Sequence, residues 1–284
     1  MSKIKNRIAP RKLYVRILVF YIPLILITAF ILFPMIWTFL SSIKPTQQMF
    51  TKQVSYLPKN PTINNYIMLL TQTDFLKSTF NSLEVAALTV FIALIVSSMA
   101  GYAFSRYKFR GSSVYLSSIL LLYMFPTVLY LVPLYVTFRN LHLLGNVFSL
   151  VIAYTTFTIP FAIWLMTGFI NGVPYEIEEA AKIDGANVYQ CYTQIIMPLL
   201  RPGMVAAGTY IFINSWNEYL YSVMFTSSSN TTLPVLLASF ISEYNIRWDL
   251  LTAGGILAII PALIIFMFFQ NHLVSGLTVG SVKG

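Results

Sequence analysis

The sequence predicts an all-α, polytopic membrane protein with six transmembrane helices, for two reasons. Among its 284 residues, 57% are hydrophobic and only 10% are charged, and the mean hydropathy is +0.73, whereas a typical soluble domain carries about 25% charged residues. In addition, six apolar stretches approach the roughly 20 residues that a helix needs to cross a bilayer. A soluble protein of this composition would expose large apolar patches and aggregate. We therefore expect a multi-pass protein of the cell membrane.

The six stretches predict a single transmembrane domain at residues 17–270. They cover residues 17–39, 79–103, 113–138, 146–170, 203–225 and 250–270. The first stretch follows a basic segment, residues 1–16, but it is too long for the apolar core of a signal peptide and lacks a small-x-small cleavage site. We expect it to be a retained span, and residues 271–284 to form a C-terminal tail.

Lysine and arginine residues are divided unequally between the two sides of the predicted domain. One side carries twelve of the 18, namely Lys3, Lys5, Arg7, Arg11, Lys12, Arg16, Arg106, Lys108, Arg110, Lys182, Arg201 and Lys283. The other side carries six, namely Lys44, Lys52, Lys59, Lys77, Arg139 and Arg247. Because loops rich in these residues stay inside the cell, both termini and the loop at about 171–202 should be cytoplasmic, and the loop at about 44–78 extracytoplasmic. The net charge of +9 then needs no nucleic-acid partner.

The predicted cytoplasmic loop at 171–202 is polar and far longer than a helical hairpin requires. It contains the stretch EEAAKIDGANVYQCYTQIIMPLLRPG, which begins at residue 178. Pro174 suits the first turn of a helix, where its missing N–H costs nothing. Three acidic residues would follow at the positive end of that helix's dipole: Glu176, Glu178 and Glu179.

The remainder of this loop predicts a second short helix. Gly185 should end or bend the first helix, and Asn187 with Gln190 can cap the next one. Pro198 and Pro202 mark the return to the membrane. The loop would then consist of two short helices joined at a glycine.

The first of these helices should present one small, mainly apolar face. Ile177, Ala180, Ala181 and Asp184 are spaced i, i+3, i+4 and i+7, and residues at this spacing share a face. With its two alanines forward, the loop would form a compact knob that another protein can approach closely. The alternative is an amphipathic hairpin on the membrane surface, although its acidic residues would there face anionic lipid.

The same stretch resembles the EAA loop of permease subunits in binding-protein-dependent ABC importers. The family pattern is Glu-Ala-Ala, three residues, Gly, nine residues and Ile-x-Leu-Pro. The chain has Met197 where leucine is usual and otherwise matches in spacing, through Glu179, Ala180, Ala181, Gly185, Ile195 and Pro198. Asp184 and Ala186 complete the Asp-Gly-Ala that is common in sugar-transporting members.

Other stretches resemble the smaller, six-span permease of maltose-type sugar importers. They are NSLEVA at 81–86, PFAIW at 160–164, SWNEYL at 215–220 and the C-terminal LVSGLTVGSVKG. The resemblance implies the permease fold of type I ABC importers. It also implies four kinds of partner: a second homologous permease, two cytosolic ATPase subunits, an extracytoplasmic sugar-binding protein and the sugar itself.

In such a complex the EAA loop would be a coupling helix that docks into the ATPase. The chain lacks the GxxxxGK[ST] phosphate loop, so it cannot bind ATP in that manner. ATP and Mg²⁺ would therefore be bound by the separate ATPase subunits. This chain is expected to need no cofactor and to be no enzyme.

Polar residues inside the apolar stretches are the candidates for substrate contact. Asn214, Asn217, Glu218 and Tyr221 are spaced i, i+3, i+4 and i+7, so on a continuous helix they would share one face. A carboxylate within a span is costly and points to a function such as lining the substrate path. Equally, Glu218 could be polar glue that is bonded to a neighbouring span. Both interpretations stay open.

Two other classes of function fit less of the sequence. An ion-coupled secondary transporter should carry carboxylates in several spans, but only Glu218 and, marginally, Glu84 qualify. A membrane enzyme needs a convergent set of acid and base groups, and none is visible. The chain's one cysteine, Cys191, and its two distant histidines predict no metal site.

Overall fold

A computed structural model describes residues 17–51, 55–243 and 245–279, and its regular structure is helical. The α-helices in these ranges are α1 (Ile22–Ser42), α2 (Thr46–Met49), α3 (Asn64–Gln72), α4 (Phe75–Arg106), α5 (Ser112–Tyr123), α6 (Val128–Asn140), α7 (Val147–Asn171), α8 (Glu176–Ile183), α9 (Val188–Gln190), α10 (Met197–Leu199), α11 (Arg201–Asn217), α12 (Leu220–Phe225), α13 (Leu233–Ser239) and α14 (Trp248–Val279). Two π-helical turns cover Ile17–Tyr21 and Cys191–Ile196. The predicted all-α class is confirmed.

Four of the described helices are long and apolar enough to cross a membrane without a break. They are Leu18–Ser42, Phe75–Arg106, Val147–Asn171 and Trp248–Gln270, and they correspond to the first, second, fourth and sixth predicted spans. Two further pairs of helices are each bent at a short break, and they raise the total to six if each pair is one span.

The third predicted span, residues 113–138, is wrong as a single helix. The structure divides it into α5 and α6, which meet at 90°. Pro126 lies in the break, and proline both lacks an N–H and disfavours helical geometry in the residue before it. The end of α5 tightens instead, with N–H groups of Met124 and Phe125 donating to carbonyls three residues back at 3.1 and 3.2 Å.

The fifth predicted span, residues 203–225, is also interrupted. Helix α11 ends at Asn217, Glu218 takes an extended conformation with φ −72° and ψ 127°, and α12 begins at Leu220. On its other side, α11 meets the helical stretch Val188–Leu199 at 76°. This pair, rather than residues 203–225, is the second bent pair.

Two predicted boundaries differ from the structure. The connection at 44–78, which was predicted to be extracytoplasmic, contains α2 and α3, and α4 already begins at Phe75. Helix α14 continues to Val279, past the predicted end of the domain at residue 270. The predicted basic segment at 1–16 and the last five residues of the predicted tail lie outside the described residues.

The chain divides into two compact units, of which the first comprises Met1–Thr73 and Phe240–Leu257. In this unit the buried amide of Asn65 donates to the carbonyls of Ser42 at 2.7 Å and Lys44 at 2.8 Å. The Lys44 ammonium is itself buried and donates to the carbonyl of Ser55 at 2.7 Å. The bond to Ser42 satisfies the last carbonyl of α1, which has no partner within the helix, and the other two bonds hold the chain that follows.

The second unit comprises Asp74–Ser239 and Ala258–Gly284, and its core lies where α4, α7 and α11 pack together. Helices α4 and α7 approach closely at Gly101, where a Cβ atom would lie 3.0 Å from both the Cβ of Met166 and the backbone nitrogen of Thr167. Close approach at small residues is typical of helix packing in membranes. Buried hydroxyls such as those of Thr89 and Thr158 donate to carbonyls four residues earlier, so they are satisfied without water.

Candidate functional site

The EAA segment, residues 171–202, is built around a left-handed glycine. Gly185 has φ +90°, a conformation that favours glycine because it has no Cβ. Its N–H donates to the carbonyl of Lys182 at 3.1 Å, and the N–H of Ala186 donates to that of Ala181 at 2.9 Å. These two bonds are the Schellman arrangement that ends helices. The predicted end of the first helix at Gly185 is confirmed.

The second helical stretch of the EAA segment begins with a capping box. The side chain of Asn187 accepts from the N–H of Gln190 at 2.9 Å, and the side chain of Gln190 accepts from the N–H of Asn187 at 2.8 Å. This reciprocal pair satisfies two N–H groups at the helix start and confirms the predicted cap. The chain then continues through the π-helical turn Cys191–Ile196 and α10 into α11.

An ion pair that the sequence analysis missed joins the EAA segment to the end of α4. The guanidinium Nε of Arg106 contacts Glu178 Oε1, and the two side chains are 8% and 0% exposed. Tyr102, one turn earlier in α4, donates its hydroxyl to Glu178 Oε2 at 2.9 Å. Arg106 also donates from Nη2 to the carbonyl of Val173 at 2.9 Å. Glu178 is therefore a buried carboxylate with a full set of partners, as burial of a charge requires.

Tyr175 and Lys182 lie beside this ion pair. The Tyr175 ring lies 5.7 Å from the Arg106 guanidinium carbon and 5.1 Å from the Lys182 ammonium, within the range of cation–π attraction. Lys182 also donates to the Tyr175 hydroxyl at 3.2 Å, and this hydrogen bond raises the pKa of Lys182 above its ordinary value. The Lys182 ammonium lies in the last turn of α8, where positive charge is favourable.

The predicted alanine face of α8 is wrong in one respect. Ala180 is exposed, as expected, but Ala181 is buried and lies on the inner side of α8 with Glu178. The i, i+3 spacing of Glu178 and Ala181 was the available sign that both face inward. Within the EAA segment, the most exposed large apolar side chains are instead Ile183 in α8 at 86% and Tyr189 in α9 at 74%.

The other predicted residues of the EAA pattern vary in exposure. Glu179, Asp184 and Pro198 are exposed, while Ala186 and Ile195 are half-buried. Burial in this part of the segment falls on neighbours of these positions, with Cys191, Ile196 and Leu200 at or below 1% exposure. The segment therefore has an inner apolar side that packs into the core and an outer side that carries most of the predicted pattern.

Glu218 is not on a continuous helix face, because α11 ends before it. Its carboxylate accepts from the N–H groups of Tyr221 at 3.0 Å and Ser222 at 3.1 Å, so it caps the start of α12, where an acidic group is favourable. It also accepts from the buried hydroxyl of Tyr154 in α7 at 2.9 Å. The carboxylate of Glu218, the residue that follows α11, thus links α7 with α12.

The three companions of Glu218 are separated by the same break. Tyr221 is buried, and its hydroxyl donates to the carbonyl of Thr127 at 2.6 Å. Asn217 is exposed, and its amide donates to the carbonyl of Ile213 at 2.9 Å. Asn214 is exposed and lies at the edge of a cavity of about 440 Å³. The predicted grouping of four residues on one face is therefore wrong, and only Asn214 lines this cavity.

Comparison with known proteins assigns the chain to a protein family. Residues 93–279 match the family described as binding-protein-dependent transport system inner membrane component. The sulfoquinovosyl glycerol transport system permease of Agrobacterium fabrum strain C58 is 33% identical over 254 residues, 89% of this chain and 89% of that protein. The trehalose transport system permease of Mycobacterium tuberculosis strain CDC 1551 is 33% identical over 262 residues, 91% of this chain and 95% of that protein.

A solved structure has the same fold. It is a crystal structure of a bacterial ABC transporter involved in the import of the acidic polysaccharide alginate, which matches with a TM-score of 0.78 at 24% identity and covers 92% of this chain and 98% of the matched chain. The extent of the family match and the identity to near full-length relatives agree with the EAA pattern in the sequence. The chain is thus a transport component rather than an enzyme, and it belongs to the family of inner membrane components of binding-protein-dependent transport systems.

Proposed function

We propose that this chain forms half of the translocation pore of an ATP-driven importer of saccharides. Its family consists of inner membrane components of binding-protein-dependent transport systems. The two relatives named above are permeases of transport systems for sulfoquinovosyl glycerol and trehalose. The other half of the pore would be a second, homologous permease. An extracytoplasmic saccharide-binding protein would deliver the substrate.

The EAA segment couples this pore to two ATPase subunits, which bind the ATP and Mg²⁺. The observation that carries this part of the proposal is the contrast between its two sides. The inner side is held by the Arg106–Glu178 ion pair, whereas Glu179, Ala180 and Asp184 are exposed together with the apolar tip at Ile183. An ordered, partly apolar surface outside the core is what a docking partner needs.

Stimulated ATP hydrolysis in proteoliposomes tests the coupling role. The complete complex is reconstituted with its binding protein and substrate, and Gly185→Val and Glu179→Lys are compared with wild type. Both variants should insert in the membrane and retain the second permease but lose stimulation, since the first distorts the segment and the second reverses an exposed charge. Glu243→Lys, a charge reversal at an exposed position outside the EAA segment, is the control. Wild-type stimulation in both variants would overturn the coupling role.

The EAA segment and both termini lie in the cytoplasm in this proposal, as the bias in Lys and Arg favours. Impermeant thiol labelling of intact cells tests the orientation. Native Cys191 is fully buried, and it is replaced by alanine so that single cysteines report alone. A cysteine at the exposed position Asn60 should label, and one at the exposed position Tyr189 should label only after the cells are opened. The reverse pattern would invert the topology.

Glu218 acts as polar glue between helices in this proposal. Support comes from its three acceptor contacts with α7 and α12, which leave the carboxylate engaged within the protein. The substrate path then runs past Asn214 rather than past Glu218.

A further inference from the structure

We infer that the cavity beside the α5–α6 break is a binding site for an uncharged saccharide, an inference that rests on the proposed function. The cavity has a volume of about 440 Å³, within the usual range of small-molecule sites. Its lining comes from α5, α6, α7, α11 and the break itself. The residues are Leu122, Tyr123, Phe125, Thr127, Tyr130, Thr156, Phe157, Pro160, Tyr210 and Asn214.

The first argument is the backbone at the break. Residues 124–127 interrupt an apolar stretch in which every polar backbone group must be satisfied. Irregular backbone at membrane depth is tolerated only where it is buried in protein or lines a water-filled cavity. Phe125 and Thr127 line this cavity, so residues of the break border a space of the kind in which irregular backbone is tolerated.

The second argument is that the break is held in place. Tyr221, which is 2% exposed, donates its hydroxyl to the carbonyl of Thr127 at 2.6 Å. At the start of α6, the N–H of Tyr130 donates to the same carbonyl at 3.0 Å. A cavity wall fixed in this way keeps its shape before a ligand arrives, which lowers the entropic cost of binding.

The third argument is the chemistry of the lining. Five of the ten side chains are aromatic rings, three of which are tyrosines, and Asn214 and Thr156 add polar groups. Asn214 donates one amide hydrogen to the carbonyl of Tyr210 at 2.8 Å, which leaves the other amide hydrogen and the Oδ1 without a partner among the described residues. Rings that stack and polar groups that hydrogen-bond at their margins match a sugar, which has apolar C–H faces and a rim of hydroxyls.

The absence of charge selects the class of saccharide. None of the ten lining residues is Lys, Arg, His, Asp or Glu. An anionic sugar that enters this cavity would lose its hydration without gaining a charged partner, and that loss is costly. An uncharged sugar gives up only hydroxyl hydration, which the tyrosines and Asn214 can replace. The site therefore favours uncharged saccharides over sulfonated or uronic ones.

Equilibrium binding to the purified complex tests the inference without the binding protein, whose own selectivity would mask that of the pore. The probes are radiolabelled trehalose and raffinose, which are uncharged, and sulfoquinovosyl glycerol, which carries a sulfonate. Wild type should bind an uncharged probe more tightly than the sulfonated one. Tyr210→Ala and Asn214→Ala should weaken that binding by about fivefold or more, whereas Tyr210→Phe should retain most of it because the ring remains.

Tyr115→Ala is the matched control, since Tyr115 is an exposed tyrosine of α5 outside the cavity, and its binding should equal that of wild type. Tighter binding of the sulfonated probe, binding that Tyr210→Ala and Asn214→Ala leave intact, or no binding of any probe would each overturn the inference. These outcomes leave the proposed function standing if substrate still stimulates ATP hydrolysis in proteoliposomes. Loss of that stimulation in wild type is a separate failure, that of the proposed function.

Discussion

Arg106, the last residue of α4, and Glu178, in the first turn of α8, form an ion pair in which neither side chain is more than 8% exposed. They are 72 residues apart in the sequence. Because Glu178 also accepts from Tyr102, the EAA segment is bonded to two successive turns of one membrane-spanning helix. A displacement of α8 must therefore move the end of α4 or break a buried ion pair.

Removal of one partner of this pair should be strongly destabilising. Glu178→Ala leaves the Arg106 charge buried without its carboxylate, and we expect a loss of about 3–5 kcal/mol in the free energy of unfolding. Thermal unfolding of the detergent-purified complex measures the effect. Glu176→Ala, an exposed glutamate of the same helix, should change little.

Replacement of both partners by apolar side chains should recover most of that stability. The double variant Arg106→Met with Glu178→Met leaves no unpaired charge, and such replacements are often neutral or stabilising. Comparison of its melting temperature with that of each single variant forms a double-mutant cycle. Two single-variant losses that simply add in the double variant would contradict a direct interaction.

Replacement of glycine by alanine should have opposite effects on stability at Gly185 and Gly168. A Cβ atom would meet nothing within 4 Å at either Gly185 or Gly168, so steric overlap is absent at both. Gly185→Ala must hold φ +90° and should lose about 1–3 kcal/mol. Gly168 lies within α7, so Gly168→Ala should raise the free energy of unfolding by about 0.5–1 kcal/mol. Melting temperatures that shift in the same direction would contradict this account.

Gly101→Ala should force α4 and α7 apart. The new Cβ would lie 3.0 Å from the Thr167 backbone nitrogen, and backbone cannot rotate away as a side chain can, so we expect a loss of about 1–3 kcal/mol. Gly208→Ala is the control, because its nearest neighbour would be the side-chain Cδ1 of Leu94 at 3.4 Å. Equal yields and equal thermal stability for the two purified variants would contradict the close approach.

The stability of the protein should depend more on the acceptor oxygens of Glu218 than on its negative charge. Glu218→Ala leaves the buried hydroxyl of Tyr154 without an acceptor, a loss of about 1–3 kcal/mol, and it also removes the cap of α12. Glu218→Gln keeps one acceptor oxygen and should lose less. With Tyr154→Phe as the background, the difference between the two Glu218 variants should narrow. Complex yield and melting temperature are the measurements, and a more stable alanine than glutamine variant would contradict the capping role.

Features that depend on neighbours in sequence could be predicted, and features that depend on distant partners could not. The left-handed Gly185 and the Asn187–Gln190 cap were both predictable, because each rests on bonds that span five residues or fewer. The long apolar stretches likewise predict α1, α4, α7 and α14. The family pattern at Glu179 and Gly185 was visible as well, since it lies within one stretch of sequence.

The Arg106–Glu178 pair could not be predicted, because its partners are distant in the sequence. Nothing local distinguishes Arg106 from the other basic residues of its loop, and the positive-inside rule already accounts for it. The break at Pro126 is a different case, because proline gives a local signal. Residues 113–138 are apolar over the length of a span, and the prediction of one helix followed their hydropathy instead of the proline. At Glu218 only part of the geometry is local: its bonds to the N–H groups of Tyr221 and Ser222 span three and four residues, whereas its bond to Tyr154 comes from another helix and leaves no sign in the neighbouring sequence.

The Schellman bonds at Gly185 and the capping box at Asn187 also bear on how a partner would leave. Because the bends of the EAA segment are closed by its own short-range hydrogen bonds, the conformational entropy of these turns is lost when the chain folds rather than when a partner binds. Release of a partner then returns the segment to solvent without unfolding it. Such a surface suits a contact that forms and breaks once in every transport cycle.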